Sequence, residues 1–113
     1  MTAKPNNELL PGTLEMIILA TLRRESLHGY AIAKKIQENS GDLLRAEEGS
    51  LYPALQRLLI EGRVSAAWGV SARNRRVRIY KLTPTGRQQL DQEMKSMGRM
   101  IEGLNRIMRL AES

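Results

Sequence analysis

Two neighbouring side chains, Gln56 and Arg57, are of the types that read the edges of base pairs in DNA. Glutamine pairs bidentately with adenine and arginine with guanine. Both lie in residues 48–62, where four leucines recur at helical spacing and form one apolar stripe: Leu51, Leu55, Leu58 and Leu59. The spacing therefore predicts a helix, about residues 50–61, that buries its leucines and leaves Gln56 and Arg57 free for a partner.

The beginning of this predicted helix carries groups that suit phosphate oxygens. Ser50 is expected to cap the helix, and Pro53 is tolerated nearby because the first N–H groups of a helix have no internal partner. The hydroxyls of Ser50 and Tyr52 and the N–H groups of this turn can donate to phosphates. Tyr30, at the start of the preceding helix, could donate in the same way. For both tyrosines the alternative is a ring buried between helices.

One segment carries all of the excess positive charge. Residues 63–87 contain 7 of the 18 lysines and arginines and no acid, which leaves 11 cations against 12 acids in the rest of the chain. Clustered arginine repels itself, and it is most easily tolerated where a polyanion neutralises it. The alternative is a solvated basic surface without a target. We expect contacts to the DNA backbone or minor groove from the following residues, with Lys81 as a further phosphate contact: Arg73, Asn74, Arg75 and Arg76.

These basic residues belong to a predicted β-hairpin. Residues 64–70 alternate as a half-buried strand, residues 71–76 form a polar loop, and residues 77–83 form the return strand. The pattern leaves open whether Tyr80 or Ile79 lies on the inward face of the return strand. Trp68 falls at an inward position of the first strand, so we expect it in the core rather than in a ligand site.

Two helices are predicted before this region. Residues 11–25 are apolar nearly all round, as expected for a helix buried in the core or against a second subunit. A second helix is predicted for residues 28–39, and a brief strand for residues 43–47. Residues 1–10 are polar and are expected to form a flexible segment. The predicted fold is thus mainly α with a small β-hairpin, a winged helix-turn-helix over residues 11–83.

The last predicted helix covers residues 84–111, with Thr83 as N-cap and Pro84 at its first position. Its apolar residues alternate at spacings of four and three, which is typical of a coiled-coil seam. At about 42 Å it exceeds what a small core can cover, and the alternative is a helix folded back on its own domain. We expect residues 84–113 to dimerise, together with the first helix, through these positions: Leu14, Ile17, Ile18, Leu90, Met94, Met97, Ile101, Leu104 and Met108.

The composition narrows the function further. The chain has 113 residues and one histidine. It has no cysteine, and this absence excludes disulfides, thiolate catalysis and zinc–thiolate sites. Neither a glycine-rich phosphate loop nor carboxylates at metal-ligand spacing occur. We therefore expect one domain that is not an enzyme and uses no metal or cofactor. No stretch is long and apolar enough for a signal core or a membrane span, so a soluble, cytoplasmic protein is expected.

Several short motifs resemble those of the PadR family of bacterial transcriptional regulators. They are LHGY at residues 27–30, EGSLYPAL at residues 48–55, and YKLT at residues 80–83 followed by GR at residues 86–87. The WGV at residues 68–70 before a basic loop is similar to a short-form subgroup with a single C-terminal helix. The resemblance implies a homodimeric winged-helix protein of the bacterial nucleoid, usually a repressor, that dimerises mainly through its last and first helices.

The sequence thus favours a homodimeric regulator that reads an inverted-repeat operator in double-stranded DNA. The alternative is a winged-helix module that binds an acidic protein, or RNA, through its wing, the basic loop of the predicted hairpin. A small-molecule effector of unknown identity is left open. Some family members clamp flat ligands between tryptophans of the dimer helices, but residues 84–113 contain no aromatic residue.

Overall fold

The computed structural model describes residues 11–113, which form four helices and a three-stranded antiparallel sheet. The predicted flexible segment, residues 1–10, lies outside the described residues. The strand order is β1-β3-β2. In chain order the elements are α1 (Pro11–Arg24), β1 (Leu27–His28), α2 (Gly29–Asn39), α3 (Glu48–Ile60), β2 (Val64–Val70), β3 (Arg76–Leu82) and α4 (Pro84–Glu112). The predicted mainly α fold with a small hairpin is confirmed.

Helix α1 lies at the centre of the chain and packs against α2, α3, α4 and β3. Because it is surrounded on several sides, four of its apolar residues are buried: Leu14, Ile18, Leu19 and Leu22. They meet Ile32 and Ile36 of α2, the leucines of α3 and Leu90 of α4 in one core. Val64 and Tyr80 of the hairpin belong to the same core, so α3 and the hairpin pack on one shared interior.

Three of the residues predicted to face a second subunit belong to this core instead. Leu14, Ile18 and Leu90 are almost completely buried within the chain itself, so they have no surface left to give to a partner. Their assignment to a dimer surface is therefore corrected. The heptad spacing of α4 is continuous, so it gives no sign that the first two turns of the helix pack on the domain of the same chain. Ile17 is only partly buried.

Helix α3 begins two residues earlier than predicted, and its N-cap is Glu47 rather than Ser50. The Leu51 N–H group already donates to the Glu47 carbonyl at 2.8 Å. Pro53 therefore lies inside the helix, where it cannot donate to the carbonyl of Gly49. At the other end Gly62 adopts a left-handed conformation with φ of 72°, and Arg63 N–H donates to the Leu58 carbonyl at 2.9 Å. This αL termination ends α3 and turns the chain into β2.

The hairpin matches the prediction closely, whereas two smaller features differ. Strand β2 has the predicted bounds, and β3 begins and ends one residue earlier than predicted. No strand forms at residues 43–47, where the Leu44 N–H donates to the Ser40 hydroxyl at 3.0 Å instead. The third strand is β1, whose Leu27 lies opposite Tyr80 of β3. A strand of two residues is too short to show alternating apolar and polar side chains, so the sequence pattern could not reveal this strand.

The start of α4 is tied to the end of α3. The Thr83 hydroxyl accepts a hydrogen bond from Gly86 N–H at 3.0 Å, which confirms the predicted N-cap, and it donates to the Gly62 carbonyl at 2.7 Å. Arg23 of α1 then forms an ion pair with Asp91 at 3.0 Å. Beyond that point α4 leaves the domain, and every residue from 98 to 113 is exposed. Among the described residues no helix is long and apolar enough to cross a membrane.

Candidate nucleic-acid interface

Helix α3 presents one face to solvent. Leu51, Ala54, Leu55 and Leu58 are buried, and Gln56 lies on the opposite side of the helix, exposed. Gly49, Pro53 and Ile60 are exposed on that same side, because they fall at helical spacing from Gln56. Gln56 is thus exposed, as the leucine stripe predicted.

Tyr52 lies on one flank of this exposed face, close to the start of α2. A Cβ atom on Gly29 would approach the Tyr52 hydroxyl to 2.7 Å, so glycine at this position makes room for the ring. Partial burial raises the pKa of Tyr52 above its ordinary value, with further contributions from Glu48 and Tyr80. The phenol therefore keeps its proton at neutral pH. It can act as a hydrogen-bond donor, which is the role a phosphate requires.

Arg57 lies on the other flank and is already engaged. Its Nε donates to Glu15 Oε1 of α1 at 2.6 Å, with the arginine side chain 47% exposed and the glutamate 16% exposed. No pattern in the sequence indicates this pair, since 42 residues separate the two side chains. Both predicted base-reading residues are exposed, but within residues 11–113 only the Gln56 side chain makes no hydrogen bond to another residue.

The loop of the hairpin is short and ordered by its own hydrogen bonds. Ser71 N–H donates to the Arg75 carbonyl at 2.8 Å, and Asn74 N–H donates to the Ser71 carbonyl at 2.9 Å. Asn74 adopts a left-handed conformation with φ of 60°, which asparagine tolerates better than most residues. Arg73, Arg75 and Arg76 are all exposed around this turn. We refer to residues 68–78 as the wing.

The charges of the wing are not neutralised within the described part of the chain. Over residues 11–113, the ion pairs involve Arg23, Arg57, Arg63 and Arg106. None of these four arginines belongs to the wing, and Lys81 and Arg87 also make no ion pair there. Six of the seven predicted cations, all except Arg63, are therefore exposed and make no ion pair within residues 11–113. Such a cluster attracts polyanions over a distance of about 8–10 Å at moderate salt.

Trp68 is not in the core, so that prediction was wrong. It lies on the inward face of β2, as its alternation with Val64 and Ala66 required, but its side chain is 62% exposed. The reason is that the hairpin extends past the helices, which cover only its first half. Arg76 and Arg78 approach the ring instead, with their guanidinium carbons 4.4 and 6.0 Å from its centroid.

The remaining predicted site residues are all at the surface. Tyr30 is 67% exposed at the start of α2, so its ring is not buried between helices. Ser50 and Lys81 are exposed as well. On β3 the face of Tyr80 is the buried one, which resolves the alternatives that the sequence left open.

Comparison with known proteins identifies the family. The model of the transcriptional regulator PadR-like family matches residues 18–92. The negative transcriptional regulator PadR of Bacillus subtilis is 31% identical over 77 residues, which cover 68% of this chain and 42% of that protein. The chain thus spans less than half the length of this curated relative.

Two solved structures show the same fold. A transcriptional regulator from Clostridium thermocellum superposes with a TM-score of 0.75 at 27% identity, covering 84% of this chain and 92% of that one. Bacillus subtilis PadR in complex with operator DNA superposes with a TM-score of 0.65 at 29% identity, covering 73% of this chain and 47% of that one. Helix α3 and the hairpin form the winged helix that the sequence predicted. This chain belongs to the PadR-like family of transcriptional regulators.

Proposed function

We propose that this protein binds double-stranded DNA as a homodimer and represses transcription at an inverted-repeat operator. The observation that carries the proposal is the exposed Gln56 face of α3 beside a wing whose arginines make no ion pair within residues 11–113. The likeness to a PadR structure solved with operator DNA supports it. Such a repressor would act at the nucleoid, in the bacterial cytoplasm.

In this arrangement α3 lies in the major groove, which admits a helix and displays a distinct pattern for each base pair. Gln56 reads a base edge, while Tyr30, Ser50, Tyr52 and the first turn of α3 contact phosphates. The wing lies along the adjacent backbone or in the minor groove, where its arginines and Asn74 provide donors and charge. Lys81 adds a phosphate contact from β3.

The dimer is proposed from the uncovered part of α4. One side of this helix carries four apolar side chains that are about half exposed or more: Met94, Ile101, Leu104 and Met108. Met97, between them, is partly buried. Met100 and Ile107 widen the same stripe. Nothing in residues 11–113 covers these side chains, and an apolar stripe of this length is typical of a helix that packs on another. In the proposed dimer we expect the two α3 helices to lie about one turn of DNA, ~34 Å, apart.

The base-reading role of Gln56 is tested with the Gln56→Ala variant. We expect it to lose about 1–3 kcal/mol of discrimination at one base pair of each half-site, because the bidentate contact is made to a single base edge. The operator is first obtained by selecting bound fragments from genomic DNA. Affinities are then measured on that operator and on duplexes changed at one position at a time.

Gln88→Ala is the matched control, since Gln88 is an exposed glutamine on α4 rather than on α3. Equal affinity of the wild-type protein for operator and scrambled duplex would refute sequence-specific binding. Tighter binding of hairpin RNA than of duplex DNA would instead favour the RNA-binding alternative.

The wing is tested with Arg75→Ala. This change is expected to weaken binding to every sequence alike and to lower the slope of log affinity against log salt by about one contact, because a phosphate contact releases counterions without reading sequence. The measurement is a salt titration of affinity on operator and scrambled DNA. Arg99→Ala on α4 removes the same charge from another element and should leave the slope unchanged. A base-specific loss in Arg75→Ala would contradict the phosphate role.

A further inference from the structure

The exposed Trp68 has no packing role that would require a large aromatic side chain. Its side chain is 62% exposed. On the same face of the hairpin, Ala66 and Tyr80 lie toward the core, and Val70, Arg76 and Arg78 are the exposed neighbours. The register places Arg78 directly opposite Trp68, and Arg76 on the diagonal, within reach of a long side chain. The core therefore does not explain tryptophan at this position, whereas its arginine neighbours do.

We propose that Trp68 is a positioning residue of the wing, which holds the Arg76 guanidinium in place for a phosphate group of DNA. The inference rests on the proposed DNA-binding function. The Arg76 guanidinium carbon lies 4.4 Å from the centroid of the indole ring, well within the range of a cation–π contact. Arg78, at 6.0 Å, is at the edge of that range.

An aromatic partner orders an arginine without using its hydrogen-bond donors. A guanidinium stacked on a ring keeps its N–H groups directed outward in its own plane, where they can form a fork to phosphate oxygens. A carboxylate partner has the opposite effect, as the pair of Arg57 and Glu15 illustrates, because it takes up a donor and neutralises the charge. Within the described residues, Arg76 is thus both held in place and still fully charged.

The ring also reduces the cost of ordering the side chain when DNA binds. A free arginine loses much of its rotational freedom when it is fixed on a phosphate. Contact with Trp68 removes part of that freedom before binding. Trp68 therefore acts on affinity through Arg76, and the two residues should show a coupling that Trp68 does not show with Arg75, which belongs to the adjacent turn.

The test is a double-mutant cycle on binding to duplex DNA. Trp68→Leu keeps an apolar side chain but removes the ring, and we expect it to lower affinity by roughly two- to fivefold, the equivalent of one exposed cation–π contact. The loss should disappear in an Arg76→Ala background and persist in an Arg75→Ala background. Trp68→Phe should retain part of the affinity. Leu43→Ala, which removes an exposed apolar side chain outside the wing and α3, should have no effect.

A second readout needs no DNA. Trp68 is the only tryptophan in the chain, so fluorescence excited at wavelengths that the three tyrosines do not absorb reports on this ring alone. In the free protein, Arg76→Ala should change the emission and Arg75→Ala should leave it unchanged.

The outcomes separate this inference from the proposed function. Full affinity of Trp68→Leu for DNA that the wild type binds would overturn the inference alone. An equal loss with and without Arg76, or an unchanged emission in Arg76→Ala, would overturn it as well. Absence of any DNA binding by the wild-type protein would overturn both proposals.

Discussion

Replacing Ile101 and Leu104 together by glutamate is expected to convert the proposed dimer into single subunits and to abolish tight operator binding. Both side chains are about half exposed in the single chain and lie on the apolar stripe of α4. Two glutamates on each chain would bury four unpaired carboxylates between the subunits, at a cost of several kcal/mol or more per pair of chains. A single subunit then engages one half-site only, which lowers affinity for an inverted repeat by about 10²–10⁴-fold.

Sedimentation and titration of operator DNA check this prediction together. Lys95→Glu is a matched control, since it places a carboxylate on the opposite side of the same helix. It should leave the subunit number unchanged. A double variant that still sediments as a dimer would place the interface elsewhere on the protein. Wild-type protein that sediments only as single subunits at working concentration would refute the dimer itself.

Gly86→Ala is expected to destabilise the fold strongly. A Cβ atom at this position would lie 2.0 Å from the carbonyl oxygen of Arg63 and 2.8 Å from a methyl group of Leu82. The carbonyl belongs to the main chain between α3 and β2, so it cannot turn aside as a side chain would. We expect a loss at the upper end of the about 1–3 kcal/mol typical of overpacking, or more. Thermal and denaturant unfolding measure it.

Gly103→Ala is the control for this change. Gly103 also lies in α4, and a Cβ atom there would meet nothing within 4 Å. Alanine should stabilise the helix by about 0.5–1 kcal/mol, because glycine loses more backbone freedom on folding. Unchanged unfolding of Gly86→Ala would mean that α4 can move away from Arg63, and that this helix is not held in the domain by the contact described here.

The elements of the fold were accessible to prediction because each depends on local periodicity. The leucine stripe of α3, the alternation of β2 and the Thr83-Pro84 start of α4 require only the geometry of one helix or strand. The same geometry placed Gln56 opposite the leucines, so its exposure could be predicted as well. The order of a helix followed by a basic hairpin predicted the winged helix, and the motifs of the PadR family supported that prediction.

Contacts between distant segments were not accessible in this way. The pair of Arg57 and Glu15 joins two helices at a distance of 42 residues, and no pattern along the chain relates these positions. Trp68 lies on the inward face of its strand, as a core residue would. The end of the hairpin projects past the helices, however, so Trp68 is not buried. The face of a strand on which a residue lies follows from the local sequence. Whether that residue is buried depends on whether another element packs against that face.

The sequence by itself thus determined which residues form helices and strands, which of their sides are apolar, and where the positive charge is concentrated. The tertiary structure alone decided that Leu14, Ile18 and Leu90 belong to the core of one chain while the seam from Met94 onward stays uncovered. It also decided that Arg57 is paired with a carboxylate and Arg76 with a ring. The physical reason is that a side chain's periodicity is set by its own backbone, but its partners are set by how separate elements pack.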